Sequence, residues 1–182
     1  MTSPGLFEWL VLEPVKKNSL ASSGKFRWTL NRKEGDRNAK KYYPFSEGID
    51  IKDGLLFFTC KKMKSLFILN LDEMTYTKTS TQIGKFDGQP DTIVRLLSED
   101  DRKDMLYFCE DGQEICGIHA RNKQGSFFHI LEGEKFRGQE TTGLAFSPDN
   151  KRLYVCFQDD GIMFEVRRED GYAFDADSIS VR

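Results

Sequence analysis

The sequence predicts an all-β chain: a β-propeller represented by about three consecutive four-stranded antiparallel blades, part of a larger ring. Three observations predict it: hairpins at regular spacing, a repeat of roughly 45 to 50 residues, and an acid at the head of each repeat. The clearest unit begins at Glu140. Leu144 to Phe146 turns through Ser147-Pro148-Asp149-Asn150 onto Leu153 to Val155. Proline and a φ-tolerant asparagine suit that tight turn. A third strand, Ile162 to Val166, follows the turn-forming Asp159-Asp160-Gly161.

The unit recurs upstream. Laying Ser98-Glu-Asp-Asp101 over Ser147-Pro-Asp-Asn150 without a gap places Asp91 on Glu140, and strands Met105 to Cys109, Glu114 to Ile118 and Ser126 to Leu131 follow. Earlier still, Glu47-Gly-Ile-Asp-Ile51 leads through Asp53-Gly54 to Leu55 to Cys60, Leu66 to Leu71 and Thr75 to Ser80. The blades are therefore expected at about 42–84, 85–133 and 134–175, behind an N-terminal segment 1–41. In that segment Phe7 to Leu12 and Phe26 to Leu30 read as strands that finish a preceding blade. Lys16 to Gly24 and Arg32 to Lys41, rich in Ser, Asn, Gly and charge, read as loops. A three-blade arc is expected to leave two sheet faces unpacked, so the chain reads as a fragment or as part of an oligomer that completes the ring.

Glu47, Asp91 and Glu140 open the units. Inner strands of a propeller start at one mouth of the channel, where converging carboxylates repel unless a cation lies between them. The competing reading is that acids beside turns accept backbone N–H groups and stay solvated. Lys16, Lys17, Lys40, Lys41, Lys61, Lys62 and Lys64 read as solvated loop charges, with a phosphate-attracting rim as the alternative.

Composition narrows the function. The chain is 38% hydrophobic and 31% charged with a net charge of −2, so it lacks the basic excess of a nucleic-acid binder. No apolar stretch approaches a membrane span, and the first residues carry no basic segment of an export signal. Fifteen Phe and six Tyr favour strands. Cys60, Cys109, Cys116 and Cys156 lack C-x-x-C spacing; three of them end the second strand of their units, which suits reduced core thiols. His119 and His129 fall within strands, where a hydrogen-bonded structural imidazole is expected. There is no G-x-S-x-G elbow and no phosphate-binding loop.

Taken together, Phe45-Ser-Glu-Gly-Ile49, Gly88-Gln-Pro-Asp91, Tyr107-Phe-Cys-Glu-Asp-Gly112, Glu140-Thr-Thr-Gly-Leu-Ala-Phe-Ser-Pro-Asp149 and Tyr154-Val-Cys-Phe-Gln158 resemble the C-terminal half of the PhoX-type alkaline phosphatases, over about residues 24 to 175. The resemblance implies a six-bladed propeller with iron and calcium at the channel mouth, carboxylate ligands and phosphate monoester substrates, in a family that works outside the cytoplasm. It assigns metal-ligand positions to Glu47, Asp91 and Glu140, and a further channel acid to Asp111. The chain departs from the family at Thr92, where Asn is usual, and at Gln158-Asp159-Asp160-Gly161, where Gln-His-Pro-Gly is frequent. The family's N-terminal half, with its iron-ligating cysteine, has no counterpart here. The expectation is a portion of a phosphatase propeller that contributes calcium-site carboxylates and is inactive alone. The alternatives are a non-catalytic propeller module that binds a protein partner or ligand, and a lactonase-type sugar-acid hydrolase with one divalent cation.

Overall fold

The computed structural model describes residues 5–15, 22–84, 86–112, 114–175 and 179. Lys16, Lys17 and most of the first expected loop lie outside the described residues.

The chain is an arc of three consecutive antiparallel propeller blades. The first is the meander β3 (Ser46–Lys52), β4 (Leu55–Cys60), β5 (Ser65–Asn70) and β6 (Thr75–Ser80). The second is β7 (Gln89–Leu96), β8 (Met105–Asp111), β9 (Ile115–Asn122) and β10 (Phe127–Arg137). The third is β11 (Thr141–Phe146), β12 (Arg152–Phe157) and β13 (Ile162–Arg167). The inner strands lie side by side, β7 touching both β3 and β11. The turns that permit the meander carry residues of positive φ, among them Asp53, Gly54 and Asn150.

The N-terminal segment departs from expectation twice. β1 (Trp9–Pro14) and β2 (Ser23–Thr29) do not finish a preceding blade; β2 pairs with β6, so the first sheet has six strands in the order β1-β2-β6-β5-β4-β3. Arg32 to Lys41 is not a loop but most of α1 (Arg32–Tyr42). Asn31 caps it, its side chain accepting from the Glu34 amide, and Lys40 and Lys41 sit in its last turn. Almost wholly polar, α1 offers no apolar stripe to read, and it is held by contacts distant in sequence. Gly35 allows Trp9 to approach so closely that a Cβ would lie 2.2 Å from that of Trp9. The Asn38 amide donates to the Leu12 carbonyl at 3.0 Å and accepts its N–H at 2.9 Å, satisfying the free edge of β1.

Neither end of the arc is left as a bare apolar face. On the first blade, Phe58 and Phe67 stack at 4.8 Å, and Tyr43, just past α1, packs edge-on to Phe58 at 5.7 Å. On the third, the outward positions Arg152, Glu165 and Arg167 form a cross-strand ionic ladder suited to water. Between blades the core is continuous. Phe57, Leu66, Ile93, Leu106 and Phe108 fill the first seam, and Tyr107, Cys109, Ile118, Leu153, Val155 and Phe157 the second.

Candidate functional site at the channel mouth

Strand register fixes which positions are equivalent. Each inner strand carries a bulge near its start: between Ser46 and Ile49, Pro90 and Ile93, and Thr141 and Leu144. Glu47 therefore matches Asp91 and Thr142. Backbone pairing gives a second equivalent set, because Lys61 N–H donates to Phe45 O at 2.9 Å, Asp111 pairs with Gln89, and Gln158 N–H donates to Glu140 O at 2.9 Å. Glu140 thus matches Gln89, not Asp91 as the gap-free superposition had it. The thiols shift likewise. Thr59 donates to the Asp91 carbonyl at 2.9 Å and Cys109 to that of Thr142, so Thr59, not Cys60, stands with Cys109 and Cys156. The turn following the inner strand differs in length between blades, and counting back from it loses the register.

Despite that shift, three of the four expected acids meet. The Lys61 Nζ lies 2.9 Å from Asp111 Oδ2 and 3.2 Å from both Asp91 Oδ2 and Glu140 Oε1. Lys61 is thus a buried-side ion-pair partner instead of a solvated loop charge, its side chain only 19% exposed. It and Asp111 and Gln158 hold equivalent positions at the end of the second strand of successive blades. Gln158 Nε2 donates to Glu140 Oε2 at 3.1 Å, and the Glu140 N–H donates to Asp159 at 2.9 Å. An isolated bridge between Asp111 and Glu140 joins the second and third blades here. Glu47 is exposed and stands outside this cluster.

Electrostatics follow from this packing. Burial acts to lower the Lys61 pKa, but its contacts with Asp111, Glu140 and Asp91 outweigh that and hold the ammonium well above its ordinary value. Glu140 is pushed up, first by burial and then by the neighbouring Asp91, with Lys61 opposing. Three carboxylates around one ammonium leave excess negative charge. A calcium or iron ion does not fit with Lys61 so placed, because its nitrogen occupies the point on which the carboxylates converge. Among the described residues no group of three or more His, Cys, Asp or Glu side chains is disposed to share a metal ion.

Behind the mouth lies a polar cluster that sequence reading missed. Glu110 is fully buried; its carboxylate accepts from Gly88 N–H at 2.6 Å and Asp87 N–H at 3.1 Å, and meets His119 Nε2 at 2.8 Å. His119 Nδ1 meets His129 Nδ1 at 3.0 Å, and Phe86 stacks on the His119 ring at 4.3 Å. This satisfied network pins the second blade, the role expected of both histidines. Burial pushes the Cys60, Cys109 and Cys116 thiols up, Cys116 to about 11, so these three stay protonated and unreactive.

No family model matches the chain, and no curated protein matches it. Among solved structures it is similar to a calcium-binding protein, regucalcin, from Agrobacterium tumefaciens, at 14% identity with a TM-score of 0.38. The match covers 72% of this chain and 57% of that one, so the chain spans little more than half the neighbour's length.

Proposed function

We propose that the chain is a non-catalytic, ligand-binding portion of a β-propeller, related to the PhoX-like metal-dependent phosphatases, in which Lys61 takes the position of the channel cation. One observation carries the reading: a single ammonium lies within 3.2 Å of acids from two neighbouring blades. Phosphate monoester hydrolysis needs metal ions to neutralise phosphate oxygens and generate a nucleophile. A lysine neutralises acids but supplies neither function. The same holds for lactone hydrolysis by a metal-activated water. The lock instead joins the first blade to the second and third, and leaves a negatively charged mouth that favours cationic groups of a protein or small-molecule partner.

A second reading rests on that excess negative charge. If Lys61 swings out, Asp91, Asp111 and Glu140, with the Gln158 amide, become an all-oxygen set suited to calcium. Calcium titration followed by thermal melting distinguishes the two. Under the lysine-lock reading, the wild type shows no calcium-dependent rise in Tm and no metal-dependent hydrolysis of an aryl phosphate or a sugar lactone, while Lys61→Met gains a calcium-dependent rise. A rise in the wild type that Asp91→Asn abolishes would establish the calcium reading in its place.

A further inference from the structure

At the opposite end of the first seam, away from the carboxylates, a cavity of about 160 Å³ lies between the first and second blades. Its walls are Leu55, Phe57, Ile68, Met105 and Leu106; its rim carries Arg95, Arg121, Asn122 and Lys123, with the carboxylate of Asp104. We infer that it binds a small organic anion with a compact apolar body, of the size and chemistry of an aromatic monocarboxylate.

Charge and space both lead there. Asp104 is already committed: its side chain, 3% exposed, takes Lys52, the Arg95 guanidinium at 2.9 Å and the Ser98 N–H at 3.0 Å. Arg95 is also seated over the Phe57 ring, 5.0 Å from its centroid. Lys123 reaches toward Asp101 at 3.8 Å. Arg121 has no acidic partner among the described residues. Its guanidinium lies half-buried beside the cavity, and burial alone depresses its pKa. A guanidinium that has given up water without gaining a carboxylate is a receptor for one, since its planar fork matches carboxylate geometry.

The volume sets the rest of the ligand. An apolar cavity of about 150 Å³ admits one benzene ring. A benzoate-sized molecule would lay its ring against Phe57, Ile68 and Leu106 and bring its carboxylate to Arg121, with Asn122 beside it. The site is independent of the Lys61 cluster, and its occupancy does not depend on the proposed function.

The test is titration of the full chain with benzoate by calorimetry, with benzamide and inorganic phosphate as companion probes. Benzoate is expected to bind saturably, with a Kd of about 1 mM or tighter for so small a ligand. Benzamide and phosphate should each bind at least about tenfold more weakly, the first lacking the charge and the second the apolar body. Arg121→Met should weaken benzoate by a similar factor while leaving Tm unchanged or raised, because an unpaired buried charge is removed. Ile68→Phe, which fills the floor, should block the ring and spare Arg121. No saturable benzoate binding, undiminished binding to Arg121→Met, or phosphate binding as tight as benzoate would each overturn the assignment.

Discussion

The two ends of the inner strands place a lysine among acids, to opposite effect. At the mouth, Lys61 faces Asp91, Asp111 and Glu140, and the acids outnumber the cation. At the far end, Asp104 faces Lys52 and Arg95, with the Ser98 N–H taking its other oxygen. The pKa shifts differ accordingly. For Asp104, burial alone would raise it, but Lys52, Ser98 and Arg95 prevail and lower it. Glu140 goes up. A carboxylate whose donors match its lone pairs holds blades together; a cluster with surplus like charge keeps a capacity to take up something positive. Asp104 is therefore a structural clasp between its donors, whereas the mouth keeps a surplus of negative charge.

The comparison is sharpest at Asp104. Asp104→Ala leaves Arg95 in a nearly closed site without its carboxylate and Lys52 with Asp101 at 2.8 Å, and should cost about 3–4 kcal/mol in denaturant unfolding. The depressed pKa fixes the sign with pH. Because the folded value lies below the unfolded one, the stabilisation is present above the ordinary value of 3.8 and is lost as pH falls through the folded value. Wild type and mutant should converge in strong acid. A cost below about 1 kcal/mol at neutral pH would remove the distinction between the matched clasp at Asp104 and the charge-surplus mouth.

Lys61→Met should cost less, about 1–3 kcal/mol at pH 8, because the freed acids retain some access to water. Without the ammonium the clustered carboxylates repel one another and protonation relieves that repulsion, so the deficit should shrink as pH falls. Chemical denaturation at several pH values checks this, and a deficit independent of pH would mean that packing of the lysine stem, not its charge, is what matters.

Glu140→Gln should have the smallest effect, and the opposite sign. A raised folded pKa contributes stability below the ordinary 4.5 that is lost as pH rises through the folded value. The glutamine keeps an acceptor for Lys61 but sheds the repulsion, so its Tm should slightly exceed that of the wild type at pH 8 and equal it near pH 4. A lower Tm at pH 8 would show that Glu140 acts chiefly as a partner of Lys61.

The seams add a third contrast. Tyr107 is fully buried in the second seam and its hydroxyl donates to the Phe174 carbonyl at 2.6 Å. Tyr107→Phe should cost about 1 kcal/mol with no change at the mouth, readable as a shift in Tm that leaves the calcium response of Lys61→Met intact.

Strand order and turns were legible in the sequence because they are written locally. Alternation sets which side of a strand is buried, and Asp53-Gly54 and Ser147-Pro148-Asp149-Asn150 turn the chain wherever they stand. That Asp91 and Glu140 share one end of the arc was legible too, since both stand at the head of an inner strand, whereas Asp111 ends β8 and was indicated only by the family resemblance. Three things were decided only by the tertiary structure. The bulges moved Glu140 out of equivalence with Asp91, and a bulge depends on how a strand seats against its neighbour. α1, polar along its length, forms where Trp9 and Leu12 offer Gly35 and Asn38 their contacts. Lys61 looked like any loop lysine until the curvature of the sheets brought acids of two other blades around it. Local propensity depends on neighbours in sequence; register, helix docking and the partner of a long side chain depend on neighbours in space.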